Sequence, residues 1–492
     1  MARETKQSPQ SQKHPERRRG YQPVGAAHPD TNAPAHHGSS PDSPASATQS
    51  ETTAGERPGL AHQQTLFRAE DGAQIEVALL TTTTARVRLT PAGQQASRSW
   101  AVFPEAWEPL RVSLIGQEDA NSTLTTQAMH IEIAHDPFRL TFRWPDGVPF
   151  AEDDPALGMG VVAPLRPNDL PDALLLAGSV RCYKRLAPGE RILGAGERTE
   201  PLDKRGHRLT FWNTDPPQSH GETTGAMYVS IPFWLGMRAG RCYGIFLDSA
   251  RRSDLDVGAS HPDLLSFGVA SGDLTYYVFA GPTPAAVLAQ YSALTGRMPL
   301  PPRWALGYGQ SRWSYFPAEH LRAVADGLRG HHIPCDSLWL DIDYMDGYRD
   351  FTWSPTRYPQ PAETLGELNA QGFKIVTILD PGVKADATDP TFAEGLARDA
   401  FVRRPDGSLY TGVVWPGESA FPDFSRADVR EWWGERHRAL LVVGVAGVWD
   451  DMNEPSLTDR LVPGAGTPHG TTLAPDAVHH PDGPDGPPLP HA

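Results

Sequence analysis

Short runs of alternating apolar and polar residues fill the chain from about residue 63 to residue 300. Typical runs are AQIEVALL at 73–80, TARVRL at 84–89 and CYGIFL at 242–247, and Gly, Pro, Asp and Asn separate such runs at close spacing. Alternation with a period of two buries one face of a strand, and many short strands at this spacing are typical of an all-β sandwich. The stretch PAAVLAQY at 284–291 differs and is predicted to be helical.

After residue 300 the pattern changes to short apolar runs that alternate with helical stretches. The runs are ALGY at 305–308, SLWL at 337–340, KIVTIL at 374–379 and AGVW at 446–449, and the segment 317–328 has a helical period. Strands that alternate with helices predict βαβ units and a parallel sheet.

Neither end of the chain shows this periodicity. Residues 1–62 contain no Ile, Phe or Trp and are rich in Pro, Ser, Gln and His, so they lack the apolar surface to offset the entropy of ordering. Residues 461–492 are rich in proline. The predicted organisation is therefore a disordered N-terminal tail at 1–62, a β-sandwich at 63–300, an α/β domain at 301–460 and a loop-like tail at 461–492.

Composition excludes several classes of function for these 492 residues. The net charge is −15, from 59 acidic against 44 basic residues, and a negative surface repels nucleic acid. Three widely spaced cysteines argue against a disulfide framework and a cysteine zinc module. No apolar stretch approaches the roughly 18 residues of a membrane helix. The basic start is not followed by an apolar run, so we expect no ordinary signal peptide and a cytoplasmic protein.

Carboxylates follow three of the four predicted strands of the α/β domain. Asp341 follows the second, Asp380 the third and the DDMNE string at 450–454 the fourth, with Trp313, Tyr344 and Trp449 nearby. In a (β/α)₈ barrel the reactive residues stand at these strand ends. Carboxylates and aromatic faces suit a neutral, polyhydroxylated ligand, whereas no Gly-rich phosphate loop is present. A single Asp after a strand is more often a helix cap or turn residue, and this reading stays open for Asp336, Asp343, Asp346 and Asp380.

Several strings resemble glycoside hydrolase family 31, the α-glucosidase family. They are LWLDIDYM at 338–345, WDDMNEP at 449–455, WPG at 415–417 with FPDF at 421–424, and GAGER at 194–198, PLDKR at 201–205 and WNTD at 212–215. The WDDMNE string is the most specific of these. The resemblance runs from about residue 63 to about residue 460. It implies a multidomain β plus α/β fold, with an N-terminal β-sandwich followed by the first half of a (β/α)₈ TIM barrel (strands one to four).

The resemblance also implies a retaining α-glycosidase of carbohydrate metabolism that uses two carboxylates and needs no metal or cofactor. Asp451 matches the nucleophile, and Glu454 is expected to contact a sugar hydroxyl or to serve as a structural hydrogen-bond partner. Asp341 matches a carboxylate that holds the sugar, and Asp215, expected on a loop of the β domain, matches a residue that reaches into the same pocket. Other residues match apolar walls of the sugar pocket, although each could equally belong to a core: Trp313, Ile342, Ile378, Trp415, Trp449 and Met452. The histidines His469, His479, His480 and His491 are weighed as metal ligands and set aside, because no regular element fixes their spacing.

The chain departs from the family in its second half. The family barrel has eight strands, and no residue of 452–492 matches the acid/base motif, which implies a truncated chain that alone is inactive on unactivated glucosides and poorly soluble. A complementing C-terminal half is one possible partner, beside an α-linked glucoside or oligosaccharide substrate. Two alternatives stay open: a non-catalytic carbohydrate-binding fragment, and a family member with another substrate, as an α-xylosidase, a sulfoquinovosidase or an α-glucan lyase.

Overall fold

The computed structural model describes residues 21–30, 64–102, 113–115, 121–162, 178–216, 220–221, 224–238, 240–457 and 472–491. The chain forms two compact units. The first unit comprises Met1–Trp212, Gly221–Gly225 and Ser230–Arg297, and the second comprises Asn213–His220, Ala226–Val229 and Met298–Ala492. Asp215 lies in the chain between two strands of the β domain, Arg208–Phe211 and Phe233–Arg238, as predicted for a loop residue, and this loop segment groups with the second unit.

The described part of the first unit consists of antiparallel sheets and one α-helix, α1 (Pro284–Thr295). Its strands are Tyr21–Pro23 (β1), Ala27–Pro29 (β2), Gln64–Ala69 (β3), Gln74–Leu79 (β4), Thr84–Thr90 (β5), Ser113–Ile115 (β6), Asn121–Thr125 (β7), His130–His135 (β8), Phe138–Arg143 (β9), Pro149–Glu152 (β10), Met159–Val162 (β11), Val180–Arg185 (β12), Arg191–Gly194 (β13), Arg208–Phe211 (β14), Phe233–Arg238 (β15), Arg241–Leu247 (β16), Ser253–Val257 (β17), Leu264–Val269 (β18) and Leu274–Gly281 (β19). They form sheets in the orders β1-β11-β12-β18-β17-β14, β10-β9-β8-β7-β6 and β13-β15-β16-β19-β5-β4-β3-β2.

One apolar core joins the three sheets of the first unit. Strand β9 shows the predicted alternation, since Phe138, Leu140 and Phe142 are buried and the residues between them are partly exposed. Strand β19 is buried along its whole length because α1 covers its second face. Gly281, at the end of β19, permits this close contact, since a Cβ there would lie 2.6 Å from a methyl group of Val287 on α1.

The prediction of a disordered tail over 1–62 is wrong for residues 21–30. Strand β1 pairs with β11 and β2 pairs with β3. The few apolar residues of this stretch supply the anchors, because Tyr21 and Ala27 are buried in cores. Glycine at position 160 allows β1 to pack closely against β11, since a Cβ there would lie 2.2 Å from the carbonyl oxygen of Gln22. The rest of the predicted tail lies outside the described residues.

The second unit is built on a parallel sheet in the order β20-β21-β22-β26. Its strands are Gly309–Gln310 (β20), Ser337–Leu340 (β21), Lys374–Leu379 (β22), Val383–Lys384 (β23), Thr411–Val414 (β24), Gly417–Ala420 (β25), Gly447–Asp450 (β26), Val478–His479 (β27) and Leu489–Pro490 (β28). Its α-helices are Ala318–Gly330 (α2), Pro361–Ala370 (α3), Pro390–Ala397 (α4), Ala427–Arg436 (α5) and Arg438–Leu441 (α6), with 3₁₀ helices at Arg303–Leu306 and Ile342–Tyr344. Strands β23, β25 and β24 form a small antiparallel sheet between β22 and α5 in the chain.

The predicted order of a β unit followed by a parallel α/β unit is confirmed. Strands β21 and β22 have the predicted bounds, whereas the first strand does not lie at 305–308. That stretch begins with a 3₁₀ helix, and the strand is Gly309–Gln310. Leu306 is 72% exposed, so the apolar run there does not face the core, and apolar composition alone predicted the strand too early.

The C-terminal segment is more ordered than a loop-like tail, so this prediction is wrong for residues 472–491. Strands β27 and β28 form a short hairpin, and the backbone of Val478 pairs with that of Arg403. Leu473 and Ala477 are buried in a core cluster with Tyr410, which explains the order of a segment without periodicity. No helix in the described part of the chain is long and apolar enough to cross a membrane.

Candidate active site

The carboxyl ends of the parallel strands bring the predicted site residues to one edge of the sheet. Asp341 follows β21, Asp380 follows β22 and Asp451 follows β26. Because β22 and β26 pair in parallel with Leu379 opposite Asp450, the residues that follow them lie side by side. The backbone N–H of Asp451 donates to the carbonyl of Leu379 over 3.2 Å, which extends the ladder to the site itself.

Asp451, the predicted nucleophile, occupies a tight turn. Its Oδ1 accepts a hydrogen bond from the backbone N–H of Met452 at 2.9 Å. Met452 has a φ of 54°, in the left-handed region that a branched or bulky residue rarely adopts, and such strain is common at functional sites. The turn fixes the orientation of the Asp451 carboxylate at the strand end.

Asp341 caps the 3₁₀ helix that follows β21. Its Oδ1 accepts from the N–H of Ile342 at 2.7 Å, so the residue fills the capping role that sequence reasoning had left open for single Asp residues. Burial raises the pKa of its carboxyl, and the negative charges of Asp343 and Asp451 raise it further. The residue is thus a cap that also faces the predicted nucleophile.

Glu454 and Asp215 lie close to the same turn. Burial raises the pKa of Glu454, with further contributions from Asp215 and Asp451, and its Oε2 has no hydrogen-bond partner among the described residues. Asp215 accepts a hydrogen bond at its Oδ2 from the hydroxyl of Ser456 over 2.9 Å. The structure therefore brings both predicted carboxylates to the segment that carries Asp451.

Asp380 belongs to this group, although the sequence left open that it is a cap or turn residue. No helix begins directly after it in this described stretch, so it is not a helix cap. The residue is only 7% exposed, and burial, followed by the charges of Asp451, Asp341 and Glu454, raises the pKa of its carboxyl to about 7. Its position after a strand, the same as that of Asp341, is the sequence signal that points to this group.

Two exposed tryptophans lie beside each other in the second unit. Trp313 follows β20 and is 64% exposed, and Trp415, in the β24–β25 turn, is 45% exposed. Their ring centroids are 5.8 Å apart at an interplanar angle of 51°. Exposed aromatic faces of this kind are suited to stacking on the apolar face of a sugar ring.

The other predicted wall residues are less exposed. Ile342 and Ile378 are each 3% exposed and belong to the apolar core of the second unit, so a place in the pocket wall stays a prediction for both. Trp449 is partly buried against that core and makes an edge contact with Trp339. Met452 packs on a separate cluster that contains Leu457.

Within the described residues, no group of three or more His, Cys, Asp or Glu side chains is arranged to hold a metal ion. The His479 ring hydrogen-bonds Asp423 at 2.9 Å and His491 at 3.0 Å, which ties the C-terminal hairpin to the segment after β25. His469 lies outside the described residues. The strand-end group is thus a cluster of carboxylates with an aromatic surface, able to hold hydroxyl groups and to stabilise positive charge.

Comparison with known proteins identifies both domains of the chain. Residues 298–480 match the glycosyl hydrolases family 31 TIM-barrel domain, and residues 74–256 match the glycosyl hydrolase 31 N-terminal galactose mutarotase-like domain. The chain is 44% identical over 285 residues to alpha-glucosidase 2 of Bacillus thermoamyloliquefaciens, which covers 58% of this chain and 36% of that protein. It is 36% identical over 279 residues to an alpha-glucosidase of Saccharolobus solfataricus, covering 57% of this chain and 40% of that protein.

A solved structure, the family 31 dextranase of Flavobacterium johnsoniae complexed with glucose, superposes with a TM-score of 0.74 at 26% identity. The match covers 85% of this chain and 48% of the dextranase. The chain thus spans less than half the length of each of these three proteins. Together the two matched domains and their order confirm the predicted fold class, and the chain belongs to glycosyl hydrolase family 31.

Proposed function

We propose that this chain carries the nucleophile half of a retaining α-glucosidase-type glycoside hydrolase. The supporting observation is the position of Asp451, at the end of a parallel strand, held by the Met452 N–H and surrounded by Asp341, Asp380 and Glu454. Asp451 attacks the anomeric carbon and the leaving oxygen departs, which gives a glycosyl ester that water then hydrolyses. The surrounding carboxylates stabilise the positive charge that develops at the sugar.

The substrate in this proposal is a neutral α-glucoside or α-linked oligosaccharide. The alpha-glucosidase names of the relatives support it, and so does the local charge. A sulfonated sugar would meet the carboxylates of Asp341, Asp451 and Glu454, so the sulfoquinovosidase alternative is disfavoured. The choice between glucose and xylose is tested by repeating the labelling experiment below with the corresponding α-xylosyl fluoride.

The direct test is covalent labelling with an activated, fluorinated α-glucosyl fluoride. Fluoride leaves with little help from a general acid, so the experiment reports on the nucleophile alone. We expect a glucosyl ester on Asp451, identified by intact mass and peptide mapping, and its loss in Asp451→Asn. Asp450→Asn is the matched control because Asp450 is the preceding residue, and it should label normally. A folded chain that labels elsewhere, or not at all, would refute the proposal.

We propose further that the chain alone is slow on unactivated glucosides, with the proton donor supplied from sequence outside it, such as a complementing C-terminal half. General acid catalysis contributes roughly 10²–10⁴-fold. The expected pattern is labelling by the activated fluoride together with weak maltose hydrolysis, and fast maltose hydrolysis by the purified chain would contradict it.

A non-catalytic carbohydrate-binding role is the second candidate, and the exposed pair of Trp313 and Trp415 favours it. A pure binder would retain α-glucosides in a binding assay but would not form the ester on Asp451. The labelling experiment therefore separates the two candidates.

A further inference from the structure

The Trp313 indole is hydrogen-bonded to the side chain of Asp343, a residue for which the sequence left a structural or capping role open. The indole Nε1 of Trp313 donates a hydrogen bond to Oδ2 of Asp343 over 2.9 Å. Since the ring is 64% exposed, little packing restrains it, and this hydrogen bond is the main directional contact that the structure gives it. Its orientation toward Trp415 therefore depends on where the Asp343 carboxylate points.

The Asp343 carboxylate is itself fixed from its other side. Asp343 is 5% exposed, and its Oδ1 accepts from Arg357 and, at 3.2 Å, from the hydroxyl of Tyr348. Arg357 also donates to the backbone carbonyl of Asp343 at 3.1 Å, and its guanidinium lies 4.4 Å from the centroid of the Phe316 ring. One carboxylate oxygen thus anchors the residue, and the other holds the indole.

This division of contacts differs from that of an ordinary helix cap. Asp343 lies inside the short 3₁₀ helix Ile342–Tyr344, whose cap is Asp341, so the carboxylate of Asp343 is not needed to begin the helix. A charged acceptor makes a stronger hydrogen bond to an N–H than a neutral one. The arrangement is suited to holding an exposed aromatic ring in one orientation before a ligand arrives.

We propose that Asp343 is a positioning residue that fixes the Trp313 indole, so that Trp313 and Trp415 form a preformed aromatic platform for a sugar ring. The inference rests on the proposed function for the identity of the ligand. A ring already fixed in its bound orientation loses less entropy on binding, and this difference corresponds to a roughly two- to tenfold change in affinity.

The test is ¹⁹F NMR of the full chain labelled with fluorotryptophan. The chain has 13 tryptophans, so the Trp313 resonance is first assigned by its absence in Trp313→Phe. We expect Asp343→Asn to shift and broaden that resonance while the line of the buried Trp432 stays unchanged. Asp386→Asn is the matched control, because it breaks an ion pair with Arg349 (2.7 Å) in the same unit without contacting a tryptophan. An unchanged Trp313 line in folded Asp343→Asn would overturn the proposal.

Titration of the same resonance with maltotriose measures the consequence for binding. We expect a roughly two- to tenfold weaker affinity in Asp343→Asn than in the wild-type chain or the control. Equal affinities would overturn the platform role while leaving the proposed function intact, whereas a wild-type chain that binds no α-glucoside would overturn both. Should Asp343→Asn fail to fold, Tyr348→Phe removes one hydrogen bond from the same carboxylate and is expected to move the Trp313 line by a smaller amount. No movement in that variant would count against the proposal.

Discussion

Replacement of Asp380 by asparagine should stabilise the protein in a way that depends on pH. Asp380 is 7% exposed, and the pKa of its carboxyl is raised to about 7 by burial and by the charges of Asp451, Asp341 and Glu454. In the unfolded chain the same group has a pKa of about 3.9. Between about pH 4 and pH 7 the folded state therefore keeps a proton that the unfolded state has released.

The sign and the size of the effect follow from proton linkage. Stability changes with pH in proportion to the protons bound by the unfolded state minus those bound by the folded state, so here it falls as pH rises. A difference of about three pKa units corresponds to about 4 kcal/mol above pH 7, as an upper bound. An asparagine side chain at this position carries no charge and is close to the protonated carboxyl in shape. Asp380→Asn should therefore match the wild type near pH 4 and be more stable by up to about 4 kcal/mol near pH 8.

Urea unfolding at several pH values between about pH 4 and pH 8 measures this difference. Hydrogen-exchange mass spectrometry on peptides of the second unit serves as the probe of unfolding. Asp386→Asn provides a control of opposite sign. Asp386 has a pKa held well below its usual range by hydrogen bonds from Thr388 and Arg349, so its loss should lower stability at neutral pH. A stability difference for Asp380→Asn that does not vary with pH, or a net loss near pH 8, would refute the reasoning.

Three further predictions concern other parts of the chain. Asp254→Asn should lower the free energy of unfolding of the first unit, measured by urea unfolding, by about 3–5 kcal/mol. The reason is that the buried guanidinium of Arg181, which pairs with Asp254 at 2.7 Å, would lose its counter-ion. A loss below about 1 kcal/mol would contradict this prediction. Gly160→Ala should detach β1, because the new Cβ would collide with the backbone of Gln22 and Pro23. Faster hydrogen exchange at Tyr21–Pro23 would support this prediction, and unchanged exchange would contradict it. Burial and then the neighbouring His479 lower the pKa of His491 to about 4. As pH falls from about 6.5, the unfolded state takes up a proton before the folded state does, so the segment 472–491 is destabilised. Its protection factors, which correct for the intrinsic effect of pH on exchange, should therefore be lower near pH 5 than near pH 7, and His491→Gln should remove this dependence.

The regular elements could be predicted from the sequence wherever burial follows a simple period. Strands β21 and β22 are short apolar runs that lie inside the second core, and their bounds agree with the prediction. Stretches that depend on a few anchors were mispredicted. Residues 21–30 contain no periodic apolar run, and their order comes from the buried Tyr21, Val24 and Ala27 together with Gly160, which lies far away in the sequence and in no local window.

The candidate site could also be predicted only in part, because it too depends on residues that are distant from one another in the sequence. Asp341 and Asp451 lie in recognisable strings, and the structure brings them to the same edge of the sheet. The environment of Asp380 depends instead on its burial and on the charges of Asp451, Asp341 and Glu454, which follow two other strands. The link from Asp343 to Trp313 joins residues thirty positions apart. Sequence spacing shows that an Asp follows a strand, but the depth of burial and the partner of each oxygen emerge only when the strands are assembled.

The same crowding of carboxylates that lowers stability has a use in the proposed chemistry. Burial raises the pKa values of Asp341, Asp380 and Glu454, and the charge of Asp451 adds to each shift, so the folded unit also bears mutual repulsion at this edge. A sugar that develops positive charge as its leaving group departs relieves that repulsion in the transition state. The neutral sugar bound before the reaction carries no positive charge and does not relieve it. The repulsion therefore favours the transition state over the free site, which is the condition for catalysis. Proteins commonly keep destabilising arrangements of this kind at functional sites, and the crowded strand ends are better explained by this function than by folding.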